Sequence, residues 1–196
     1  MLTGSGQQGA GERNAYQLAE GLSIVEFFSY NGPFVEDGSN EVCEDIAAVR
    51  IENTSGINYS YIKFELRSSS HTYSFSAATV LTGTKMTVLN ENKETFQDEP
   101  ILSNSVVTLA PFTDEPTVHL ESVRISYIDG FLNVKNLTDS PLQKLYVYYK
   151  NTDSYGFFGG ITYRSYFELI GSGETAQNAV SNLHKDSSKI VFVTFE

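Results

Sequence analysis

The stretch Val49-Arg50-Ile51-Glu52-Asn53-Thr54-Ser55-Gly56, followed by Tyr59-Ser60-Tyr61-Ile62-Lys63-Phe64-Glu65-Leu66-Arg67, decides the fold. Val49 and Ile51, then Ile62, Phe64 and Leu66, fall at every second position on either side of a polar turn. Successive side chains of a strand point to opposite faces, so this period of two predicts a pair of strands with one face in a core. The pattern is written twice. Leu132, Val134 and Asn136 lead through Leu137, Thr138 and Asp139 to Leu145, Val147 and Tyr149. Asn53 and Asn136 are 83 residues apart, and so are Ile62 and Leu145. That period exceeds the ~20–50 residues of solenoid repeats and points to two related domains.

Composition agrees. The chain has 196 residues, 40% hydrophobic and 13% aromatic, enough apolar material for two modest cores. Val, Ile, Thr, Tyr and Phe dominate the apolar runs, which is strand chemistry. A formal net charge of −11 lacks the basic footprint that nucleic-acid binding requires. No run reaches the ~18–20 apolar residues of a membrane-spanning helix. Cys43 is the single cysteine and predicts a buried or half-buried free thiol, since one cysteine forms no internal disulfide.

Along the chain, Leu22 to Tyr30 reads as a strand stopped by Asn31-Gly32-Pro33. An acidic loop covers Glu36 to Asp45. Strands follow at Ile46 to Asn53, Tyr59 to Arg67, His71 to Ala78, Thr84 to Asn90 and Ser105 to Ala110. Pro111 to Pro116 has the composition of a semi-rigid linker. Asp129-Gly130, between Val123-Ile125-Tyr127 and Phe131-Leu132-Val134, is the signature of a type I′ hairpin. Gln143 to Lys150 is the counterpart of Tyr59 to Arg67, and Thr175 to Leu183 carries the one arguable helical turn. Lys189 to Phe195 is almost continuously apolar, which predicts a central or doubly covered strand. About seven short strands per unit, with turns every ~8–12 residues, predict β-sandwiches. The expected organisation is a tether over residues 1–16, a sandwich over 17–112, a linker over 113–118 and a second sandwich over 119–196.

Asn53-Thr54-Ser55-Gly56 followed by Phe64-Glu65-Leu66 resembles the FxLYD-type immunoglobulin-like modules of Gram-positive bacterial surface lipoproteins. Where that motif has Tyr and Asp this chain has Arg67 and Ser68, and the second copy reads Val147-Tyr148-Tyr149-Lys150-Asn151. The resemblance implies two tandem immunoglobulin-like β-sandwiches, an extracytoplasmic location and no catalytic residues. Leu2-Thr3-Gly4-Ser5 resembles a lipobox with Ser5 at the position of the acylated cysteine. The native protein is thus expected to sit at the cell surface on a lipid anchor absent from this chain, its only membrane contact.

Enzyme signatures are missing: there is no Gly-x-Ser-x-Gly elbow, no His-Glu-x-x-His and no P-loop. His71, His119 and His184 lack the spacing of zinc ligands. The acidic loop lacks the alternating ligand register of a calcium loop. No cofactor or metal is therefore expected. Asn53, Asn58 and Asn136 head glycosylation sequons, but an Asn bonded to the backbone of its own turn is the simpler reading. The informative surface is aromatic: Tyr146 and Tyr148 lie opposite Leu145, Val147 and Tyr149, and Tyr155, Phe157, Phe158, Tyr163 and Tyr166 follow among glycines. Paired as a hairpin, these strands would share aromatics on one outward face, either as cross-strand packing or as a patch for a protein or glycan. Tyr146, Tyr148, Tyr155, Phe157, Phe158 and Tyr163 are the candidate ligand-binding residues. The expected function is non-catalytic: a protein-interaction, adhesion or envelope-assembly module with an envelope or surface protein as partner, or alternatively a carbohydrate-binding module.

Overall fold

A computed structural model describes residues 16–36, 41–153 and 155–196. These form fourteen strands. The first seven are β1 (Tyr16–Ala19), β2 (Leu22–Phe34), β3 (Glu41–Asn53), β4 (Tyr59–Arg67), β5 (Thr72–Val80), β6 (Thr84–Leu89) and β7 (Ser103–Pro111). The remainder are β8 (Val123–Ile128), β9 (Phe131–Asn136), β10 (Leu142–Asn151), β11 (Phe158–Gly159), β12 (Tyr163–Ile170), β13 (Thr175–Ala179) and β14 (Ser188–Thr194). The lipobox-like residues and the tether up to residue 15 lie outside the described residues, as do Asp37 to Asn40 of the acidic loop.

The fold is all-β, built from sandwich-like pairs of sheets. In the N-terminal half a sheet of order β1-β2-β3-β6-β11 faces one of order β5-β4-β7. Their shared core takes Leu22, Ile24, Val49, Ile51, Met86 and Val88 from one side and Ile62, Phe64, Leu66, Tyr73 and Phe75 from the other. In the C-terminal half a sheet of order β13-β9-β8 faces β12-β10-β14. There the core joins Val123, Leu132 and Val134 to Leu145, Val147, Tyr149, Phe167 and Val193. The order β2-β3-β6 over β5-β4-β7 recurs as β8-β9-β13 over β12-β10-β14, so the repeat seen in sequence is a repeat of topology. A smaller cluster of Phe34, Ile46, Ala48 and Leu89 forms separately. Ile46 and Ala48 alternate with Ala47 and Val49 of the main core, which puts this cluster on the opposite face of the first sheet.

The duplicated asparagine explains why the sequence repeats there. Asn53 Nδ2 donates to the carbonyls of Ile57 and Val80 at 2.9 and 3.1 Å, while its Oδ1 accepts from the Ser55 amide and hydroxyl at 3.1 and 2.6 Å. Asn136 donates to Ser140 and Ile170 at 2.8 and 3.0 Å and accepts twice from Thr138 at 2.8 Å. Both side chains are wholly buried. They pin the turn to the neighbouring strand, satisfying carbonyls that are costly to leave unpaired.

Some elements differ from expectation. Asn31-Gly32-Pro33 does not stop β2; the strand continues to Phe34, with Gly32 opposite Cys43 and Pro33 opposite Val42 after a register shift. Among the described residues β2 is paired only with β3 along this stretch, an edge position of the kind where a strand tolerates proline. As a result β3 begins at Glu41, and the end of the acidic loop is strand. Thr175–Ala179 is a strand on β9, because Ala176 and Val180 alternate toward the second core. At the hairpin between β8 and β9, Asp129 and Gly130 have φ of 50° and 84°, the left-handed pair a type I′ turn requires.

Candidate functional site

Strand β10 organises both sites that the fold presents. Leu145, Val147 and Tyr149 enter the core, so Tyr146 and Tyr148 fall on the outer face of the sheet. β12 runs antiparallel alongside, setting Tyr166 opposite Tyr146 and Arg164 opposite Tyr148. On the other side β14 sets Phe192 opposite Tyr148. The rings of Tyr146 and Tyr166 approach to 4.8 Å, Tyr148 stacks on Phe192 at 4.1 Å, and Tyr146 and Tyr148 are 6.3 Å apart. The Arg164 guanidinium lies 5.4 Å from the Tyr146 ring centre, and Phe112 packs edge-on against Phe192 at 5.6 Å. Tyr166 is 44% exposed and Tyr146 and Tyr148 are half-buried, so a partner meets ring faces, phenolic hydroxyls and one guanidinium.

The six candidate residues part company here. Only Tyr146 and Tyr148 share this face. Tyr155 and Phe157 pack around Arg50 of β3, their ring centres 5.7 and 4.5 Å from its guanidinium carbon, with Phe28 at 5.1 Å. Arg50 also contacts the Glu26 carboxylate, an ion pair screened by those rings. Phe158 is in β11, beside Met86 of β6, and packs on the N-terminal core. Tyr163 is buried, stacks on Tyr149 at 5.5 Å and donates its hydroxyl to the Val35 carbonyl at 3.0 Å. Arg164, Phe192 and Phe112 escaped the sequence reading. The near-continuous apolar run of β14 was the available signal for Phe192: the strand is doubly covered, although it sits at a sheet edge.

A second assembly lies where the halves meet. Lys150, the next outward position of β10 after Tyr148, is 0% exposed. Its ammonium donates to the carbonyls of Gly159, Gly160 and Ile161 at 2.9, 3.0 and 3.1 Å. Glu36 Oε1 accepts the amides of Leu89 and Gly160, each at 3.2 Å. Burial pushes the Glu36 carboxyl up to about 7 against the pull of the Leu89 amide, of Lys150 and of the Gly160 and Ile161 amides. Burial likewise draws Lys150 down to about 7 against the Coulombic pull of Glu36. Nearby, Thr87 donates its hydroxyl to Asp153 at 2.7 Å. A cavity of about 320 Å³ opens beside Tyr30, Val35, Thr87 and Asp153, and another of about 330 Å³ beside Glu36, Tyr61 and Ile161.

Buried acids and bases poised near neutrality are a hallmark of reactive sites, but here each charged group is engaged with backbone. At the surface, Ser70 Oγ lies 2.5 Å from His71 Nδ1, and it donates to Glu99 at 2.9 Å. The carboxylate therefore meets the serine hydroxyl and not the imidazole, which stacks on Tyr73 at 5.7 Å, so the order of contacts differs from that of a triad. Hydroxyls of Ser68, Ser69 and Ser70 hold the Glu99 carboxyl down to about 2. The histidine is less isolated than its sequence context suggests. Of the acidic loop, Asp45 accepts from Ser29 at 3.0 Å and Asn31 at 3.4 Å, and Glu41 pairs with Lys93 at 2.6 Å. Cys43 is a half-buried free thiol. No protein-family model matches the sequence, and comparison with curated proteins finds no match.

Proposed function

We propose that this chain is a non-catalytic binding module whose docking surface is the outer face of β12-β10-β14, with a protein as partner. The observation that carries the reading is the cross-strand set of Tyr166, Tyr146 and Tyr148 beside Arg164, with the buried Phe192 ring supporting Tyr148 from β14. Aromatic residues and arginine are enriched where proteins meet, because they bring large contact area with a polar tip. The three tyrosine rings are tilted, Tyr146 by 37° from Tyr148 and by 35° from Tyr166, which offers edges and hydroxyls more than one flat platform, and this favours a protein over a sugar. In the same reading the halves are tandem immunoglobulin-like modules, a proposal supported by their matching strand order. The cell-surface, lipid-anchored setting rests on the likeness of Asn53 to Leu66 and of Leu2 to Ser5 to surface lipoproteins.

Photo-crosslinking tests the proposal. Benzoylphenylalanine in place of Tyr166 should capture a discrete protein band from envelope extracts. The same group in place of Tyr61, an exposed tyrosine of the N-terminal half, should not. Equal capture at both positions, or none at Tyr166, would refute the docking face.

A further inference from the structure

The segment from Phe158 to Thr162 belongs to the C-terminal half in sequence, where Lys150 and Thr152 hold it, and it also bonds to the N-terminal half. Phe158 and Gly159 pair in parallel with Met86 and Thr87 of β6. The Gly160 carbonyl accepts the Ala78 amide at 2.9 Å, and the Thr162 hydroxyl donates to the Ala78 carbonyl at 3.2 Å. Gly160 is thus held from three directions: by Ala78, by Lys150 through its carbonyl and by Glu36 through its amide. A Cβ at Gly160 would lie 2.6 Å from Glu36 Oε1, so the carboxylate fits against the backbone only because no side chain is there.

We propose that Glu36 and Lys150, reaching this segment from opposite halves of the chain, form a latch that sets how freely the two sandwiches move against each other. This goes beyond the binding face and does not depend on it. Lys150 ties the segment to β10, Glu36 ties it to β6, and opening would leave both charges and five backbone groups to find water.

The latch responds to protons, and the sign follows from linkage. Glu36 holds its proton more tightly when buried than in solvent, so the closed form is favoured by acid and that advantage fades as pH rises to about 7. Lys150 releases its proton more readily when buried, so the closed form is favoured by alkali and that advantage fades as pH falls to about 7. Opening is therefore easiest near neutrality, where the two groups exchange protons as a pair. The other ionisable groups around them are Tyr30 and Cys43 from β2 and β3, Asp153 after β10, Tyr163 in β12, Tyr61 in β4, and Glu91 after β6. Asp153 is held by Thr87 and by the amides of Tyr155 and Phe157, and Glu91 by Lys63 at 2.8 Å. Burial raises the Tyr30 phenol further from neutrality.

Amide hydrogen exchange, corrected for intrinsic rates, reads the latch at Ala78 and Gly160, with Phe64 and Val147 reporting the two cores. Wild-type protection at Ala78 and Gly160 should be lowest near pH 7 and rise about fivefold toward pH 5.5. Glu36→Gln should flatten that acid limb. Lys150→Met, which takes the ammonium away from three carbonyls, of which that of Gly160 keeps the Ala78 amide, should lower Ala78 protection about tenfold or more while Phe64 and Val147 stay protected. If Lys150→Met exposes the cores as well, the Glu36→Gln profile decides, since that change is nearly isosteric. Protection at Ala78 and Gly160 that ignores pH in the wild type, or that tracks Phe64 in every variant that keeps its cores, would overturn the proposal.

Discussion

Asn53 and Asn136, 83 residues apart, make the same four hydrogen bonds: from each side-chain amide one to a carbonyl of its own turn and one to a carbonyl of the neighbouring strand, and two accepted from the Ser or Thr two residues on. Replacing either by Ala removes the side-chain donor from the buried Val80 or Ile170 carbonyl, while the turn carbonyls of Ile57 and Ser140 keep the hydroxyls of Ser55 and Thr138. Asn53→Ala and Asn136→Ala should each lower stability by about 2–4 kcal/mol. Urea denaturation followed by circular dichroism checks this, and a variant that unfolds at the wild-type midpoint would show that its turn does not depend on the asparagine.

Gly21 and Gly56 make an internal contrast. Gly21 has φ +70°, its carbonyl accepts the amides of Thr54 and Ser55 at 2.6 and 3.1 Å, and a Cβ there would lie 2.7 Å from the Ser55 nitrogen. Gly56 meets nothing within 4 Å. Gly21→Ala should therefore cost about 2 kcal/mol or more. Gly56→Ala should be neutral or stabilise by about 0.5 kcal/mol through the unfolded chain. Thermal melts of the two variants side by side give the comparison.

The exposed carboxylate Glu99 carries a pH signature of its own. Its pKa is depressed to about 2 in the folded chain from 4.5, chiefly by serine hydroxyls, so its contribution is present above pH 4.5 and is lost as pH falls toward 2. Carbon-detected NMR should place its midpoint near 2. Ser70→Ala should move the midpoint upward, because one donor to the ionised form is gone.

How much of this could be read beforehand depends on whether the deciding interaction is local. Tyr59–Arg67 and the Asp129-Gly130 hairpin were legible because alternation and positive φ are properties of neighbouring residues. β2 was not, because the harmlessness of Pro33 depends on which of its sides carries a partner strand. Lys150 occupies an outward position by alternation and reads as a solvated charge. It is buried only because the segment from Phe158 to Thr162 crosses to the other half and covers it. Arg50 is covered in the same way, since Phe157 and Tyr155 arrive from residues about a hundred positions later. The aromatic face was half legible: Tyr146 and Tyr148 follow from period two, whereas Tyr163 lies on the core face of the same sheet, Phe158 joins the sheet of the N-terminal half, and Tyr155 and Phe157 pack around Arg50.

The central claim, that the face around Tyr146 is where a partner docks, is tested most directly by binding. Wild type, Tyr146→Ser/Tyr166→Ser and the control Tyr61→Ser can be compared by retention on immobilised envelope proteins and on a panel of glycans. The account predicts retention of wild type and Tyr61→Ser on a protein, with at least about tenfold weaker binding by the double variant, about 1.4 kcal/mol. Retention on glycans alone would move the partner to the carbohydrate class. Double-variant binding equal to wild type, or no retention of wild type on either panel, would contradict the account.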